Sequence, residues 1–162
     1  MKVGEFSERI GVPYRQVRYV LEEGILPKGV DADPGRGEHR DLDFAQTFWL
    51  AIVLKLKENG VKTPKAQQIA DFAKEGVRGI AANLNWDYRF NPFIGQFETE
   101  FQWYVDIGDL TYVRIVTAAN PSHQGLYELP WSQLGHRKTV KAAKPIVIIR
   151  VDLTKLAALL RP

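Results

Sequence analysis

Cysteine is absent from this 162-residue chain and methionine occurs once. Without thiols there is no disulfide framework, no thiolate metal site and no iron–sulfur cluster. Long apolar runs are missing too, so no segment is expected to span a bilayer and no membrane partner is expected. The opening residues MKVGEFSERIG carry acids where a secretory signal needs an apolar stretch, and a cytoplasmic location is the simplest expectation. Neither sign of charge dominates: 22 Lys and Arg stand against 19 Asp and Glu, giving a net charge of +3. A pI near 9.1 permits contact with nucleic acid without arguing for it.

Catalytic signatures are also lacking. His39, His123 and His136 are isolated, and none has metal-ligand spacing to another histidine or a carboxylate. Ser122 and His123 are neighbours in sequence, which is not a triad geometry. There is no Gly-x-Ser-x-Gly elbow, phosphate loop or dinucleotide fingerprint. Enzyme activity, a metal and a cofactor are therefore not expected. Internal repeats and low-complexity tracts are absent as well.

What the chain does have is a core: 45% of residues are hydrophobic and 11% aromatic, too many for global disorder. Val3, Phe6 and Ile10 recur at helical spacing before Gly11, which predicts a helix over 3–10. Pro13 suits a helix start and Gly24 a stop, predicting a second helix over 13–23. Residues 29–42 hold a Gly-Arg-Gly tip and a return segment, which fits a wing. Asp43 with Gln46 three residues on is a capping pattern and opens a third helix, 43–58, apolar on most sides. A fourth is expected over 63–75, stopping near Gly76.

Beyond residue 80 the pattern changes. FETEFQWYV, LTYVRIV and PIVIIRV are short and rich in β-branched or aromatic residues, as strands are. DLTKLAALL closes the chain as a short helix with Asp152 as its cap. The fold expected is α+β: a mostly helical winged helix-turn-helix over 1–75, a linker over 76–96 and a small β-rich domain over 97–162.

The second helix, YRQVRYVLE, raises the functional question. At 100° per residue Val17, Val20 and Leu21 share one face and should be buried. Arg15, Arg18, Tyr19 and Glu22 point the other way. Long donors at the front of an outward face suit the major groove of DNA, where Arg bonds guanine and Gln bonds adenine. The alternative is an ordinary solvated helix surface.

Glu5, Phe6, Ser7, Gly11, Val12, Val17, Arg18, Tyr19, Glu22 or Glu23, Gly24, Ile25, Leu26 and Pro27 stand in an order that resembles the opening helix-turn-helix of the MerR family of transcription regulators. The wing, with Arg40 before Leu42, follows in the same order, as does KLKENGVKTPKAQQIADF. The likeness covers roughly residues 1–75. It implies a dimeric regulator that binds double-stranded DNA through Tyr14, Arg15, Gln16, Arg18 and Tyr19, with Arg36, His39 and Arg40 of the wing. Val20 and Leu42 depart from aromatics usual in the family. Gly76, Gly79 and Asn83 break the pattern of the long dimerisation helix that should follow.

The second half holds Trp86, Tyr88, Phe90, Phe93, Phe97, Phe101, Trp103 and Tyr104. Of these, Trp86, Tyr88, Phe101, Trp103 and Tyr104 are candidates for a small-molecule effector pocket, with Asp87, Glu98 or Glu100 to face a cation. The plainer reading is core and dimer interface, shared with the apolar side of DLTKLAALL. The basic run from His136 to Lys144 reads as a second phosphate-binding loop or as a solvated one. Three functions stand: a transcription regulator; an excisionase-like or architectural DNA-binding factor; and a DNA-binding antitoxin or adaptor whose second half binds a partner protein.

Overall fold

The computed structural model describes residues 1–27, 41–84, 90–92, 96–97, 101–119, 126–128, 130–136, 139–140 and 143–161. Five helices and seven strands follow in order: α1 (Val3–Ile10), α2 (Tyr14–Glu22), α3 (Phe44–Glu58), α4 (Thr63–Leu84), β1 (Phe90–Asn91), β2 (Gln96–Phe97), β3 (Phe101–Gly108), β4 (Tyr112–Ala119), β5 (Leu126–Glu128), β6 (Ser132–Gln133), β7 (Ile148–Asp152) and α5 (Leu153–Leu160). The architecture is α+β, as expected.

Local chemistry explains three of the helix ends. α1 stops at Gly11, whose φ of +66° is open to glycine at no steric cost. α3 starts in a complete capping box: Asp43 accepts from the Gln46 N–H at 2.7 Å, and Gln46 Oε1 accepts from the Asp43 N–H at 3.0 Å. Asp152 caps α5 by accepting from the Lys155 N–H at 2.8 Å.

The fourth helix corrects the sequence reading. It does not stop near Gly76 but continues to Leu84. Gly76 lies against Ile115 of β4, so it is there for close approach to the sheet and not for a turn. A glycine inside a helix costs about 0.5–1 kcal/mol against alanine, which tertiary packing readily offsets.

The main sheet runs β5-β4-β3-β7, with β6 also beside β4, all antiparallel; β1 and β2 form a separate short pair. β3 and β4 are joined by the three residues 109–111. Asp109 and Leu110 both have positive φ and the Thr111 N–H donates to the Gly108 carbonyl at 2.9 Å, as in a tight turn with one further residue before β4. Alternation gives the sheet two faces. Trp103, Val105, Ile107, Val113 and Ile115 are buried on one, under the helices. Asp106, Arg114 and Arg150 stand together on the other.

One buried cluster joins Phe6, Val17, Val20 and the length of α3 to Val105, Ile107 and Ile115, and to Leu153, Leu156 and Leu160 of α5. The apolar side of DLTKLAALL, a candidate dimer seam in the sequence, is thus spent on the chain's own core. Leu159 is the exception, exposed on the outer side.

Candidate nucleic-acid interface

The helix-turn-helix is fixed by small, specific contacts. Ser7 Oγ donates to the Val12 carbonyl at 2.7 Å and bridges α1 to the entry of α2. Phe6, Val12, Val17 and Val20 are buried beneath, so α2 is anchored along one side. The base of the wing is anchored too: Met1 and Leu42 exchange hydrogen bonds, and Lys2 bridges Asp41. Arg36, His39 and Arg40 lie outside the described residues.

On the opposite side of α2, Tyr14 (51% exposed), Arg15, Arg18, Tyr19 (55% exposed) and Glu22 line a shallow depression of about 370 Å³. The face expected to carry donors does so, and Val17, Val20 and Leu21 occupy the buried face. Gln16 is half-buried at its border. Arg18 is paired along the helix with Glu22, at 2.7 Å from Nη2 and 2.8 Å from Nε. The hydrogen bond to Glu22 raises the Arg18 pKa above its ordinary value, so its charge is constant at any working pH.

Sequence reading missed one neighbour. Lys57, in the last turn of α3, holds its Nζ 5.7 Å from the centre of the Tyr19 ring. The pair is far apart in sequence, and only the packing of α3 on the helix-turn-helix brings them together. The cation adds positive charge beside α2.

The aromatic candidates of the second half separate. Trp103 is buried in the core and Phe101 packs against that core from the same side of β3. Tyr104 stands on the other side, its ring 5.0 Å below the Arg150 guanidinium. Trp86 and Tyr88 lie outside the described residues.

That outer side carries a chain of charges instead. Asp106, fully buried, accepts from Arg150 Nε at 2.6 Å and Nη2 at 2.8 Å, and from Arg114 Nε and Nη2 at 3.2 Å. Arg114 reaches on to Glu128 at 2.6 Å and stacks 4.2 Å over Trp131. The hydrogen bonds that Arg150 donates to Asp106 raise the Arg150 pKa. A cleft of about 400 Å³ opens elsewhere, between α4 and the β6 turn, with Gln68, Asp71, Phe72 and His136 on its walls. No group of His, Cys, Asp and Glu suited to a metal ion occurs among the described residues. No described helix is long and apolar enough to cross a membrane.

Residues 1–73 match the family described as MerR HTH family regulatory protein. The N-terminal part of the chain is thus similar to the helix-turn-helix of that family, a family of DNA-binding regulators. No curated protein and no solved structure matches the chain.

Proposed function

We propose that the protein is a dimeric transcription regulator that reads an operator with α2 and grips the flanking backbone with the wing. The observation that carries this reading is the division of α2 into two faces. Val17, Val20 and Leu21 lock the helix down, leaving Tyr14, Arg15, Arg18 and Tyr19 outward on a rigid support. Arg15 and Gln16, at the front of the helix, reach base edges; Arg18, Tyr19, Arg36, His39, Arg40 and Lys57 contact phosphates, which position the protein without reading sequence. Residues 1–75 bind DNA on this reading, and residues 97–162 join two copies. Binding to a random duplex pool, followed by sequencing of the retained fraction, tests it. A recovered inverted repeat with half-sites about one DNA turn apart is the expected result. Recovery of no motif, with affinity equal for all duplexes, overturns sequence reading by α2.

A further inference from the structure

The exposed large aliphatic side chains of the described residues gather in one place. Ile146 (94% exposed), Val147 (61%) and Ile148 (47%) lead into β7, and Leu159 (44%) lies on the adjoining helix α5. The other two exposed large hydrophobics, Tyr14 and Tyr19, belong to the DNA-facing side of α2. β7 is at the edge of the main sheet, and no described strand lies beyond it.

The direction of its backbone groups follows from two hydrogen bonds. The Asp109 N–H donates to the Val147 carbonyl at 2.9 Å, and the Trp103 N–H turns the same way, to Thr154 Oγ1 at 2.8 Å. Odd-numbered residues of β3 therefore address β7, and Ile149 and Val151 answer them. Ile148 and Arg150 aim their N–H and C=O groups outward, along the open edge. Natural edges are commonly guarded by a charged side chain. Here Arg150 is drawn back onto its own sheet by Asp106 and Tyr104, which turns that charge away from the edge.

We propose that β7 pairs antiparallel with β7 of a second copy, making one continuous sheet across a two-fold axis. Charge selects the register. Setting Arg150 opposite Arg150 would place like charges side by side, which is destabilising. Centring the axis on Ile149 sets each Ile148 opposite Arg150 of the other copy and uses the outward groups of both residues. Val147 then faces Val151 of the other copy. Val151 borders a groove of about 610 Å³ beside β7, where Ile10, Lys55, Asn59, Lys155, Leu156 and Leu159 form the wall. The proposal names the surface of the dimer invoked above and rests on that reading for the need of two copies, though not for the geometry of the edge.

The test is amide exchange by NMR on the wild-type chain across a concentration series, beside sedimentation equilibrium of wild type and Ile148→Lys. The Ile148 and Arg150 amides are expected to slow at least tenfold as the dimer forms, with Ile149 and Val151 protected throughout. Ile148→Lys should raise the dimer dissociation constant at least tenfold while its melting curve stays cooperative. If that variant does not fold, the wild-type exchange series decides. A dimer whose Ile148 and Arg150 amides exchange as fast as in the monomer overturns the proposal. So does a chain that stays monomeric at all concentrations, which leaves the edge to a strand of another protein. A monomer that still selects a half-site keeps the DNA reading intact. An edge-paired dimer with no sequence preference keeps the interface and removes the regulator.

Discussion

Gly76 of α4 and Ile115 of β4 meet without room for a methyl group between them: a β-carbon on Gly76 would stand 2.8 Å from Ile115 Cγ1. This is the seam where the helical half and the sheet share a core. Ile115 is fully buried, so it has little freedom to move aside.

Gly76→Ala therefore sets two effects against each other. Alanine gains about 0.5–1 kcal/mol in helix propensity, while overpacking a core site costs about 1–3 kcal/mol. The clash should win, for a net loss of about 1 kcal/mol in urea denaturation. An unchanged or higher midpoint would show that the seam is looser than this contact implies.

The same glycine shows how far the sequence could be read. The four-helix order, the capping box at Asp43 and the buried face of α2 were legible because each depends on residues within one turn or one helix. The strands of the second half were legible from their β-branched and aromatic content. The length of α4 was not, because a glycine signals a stop when read locally, and only β4 shows why this one is needed. Lys57 beside Tyr19 and Asp106 between Arg114 and Arg150 were hidden for the same reason. Their partners are set by tertiary and cross-strand packing, and no local spacing encodes it.

Asp106 supports a second prediction. It is buried with two arginines, and removing one partner of a buried ion pair typically costs about 3–5 kcal/mol. Arg150 is partly exposed and can turn to water, so Asp106→Asn should cost less, about 2–3 kcal/mol. Glu128, at the exposed end of the same chain of charges, should cost under about 1 kcal/mol as Glu128→Gln. Equal losses for the two variants in chemical denaturation would contradict the order of burial.

Thr117 on β4 has a buried hydroxyl with no hydrogen-bond partner among the described residues. Thr117→Val keeps the β-branched shape that suits a strand and removes the unsatisfied oxygen. A stabilisation of about 1 kcal/mol is expected, since a lone buried polar group costs about 1–3 kcal/mol. A lower melting temperature for Thr117→Val would mean that the hydroxyl is satisfied after all.

The last prediction separates reading from gripping on α2. Arg15 is at the front of the helix with an exposed side chain and is assigned to a base edge. Arg15→Ala should cost about 1–3 kcal/mol on the preferred duplex, with a much smaller loss on a scrambled one. Arg18 is assigned to a phosphate, and it is already held by Glu22 along the same face. To grip DNA it must exchange that carboxylate for a phosphate oxygen. Glu22→Gln frees the guanidinium and removes a negative charge from the face, so affinity should rise on all duplexes alike. Arg18→Ala should do the reverse and flatten the salt dependence by about one unit of slope. A titration series over salt, on specific and scrambled duplexes, measures all three variants together. If Arg15→Ala lost equally on both duplexes, its side chain would be a phosphate contact and sequence reading would fall to other residues. If Glu22→Gln left affinity unchanged, Arg18 would not meet the backbone.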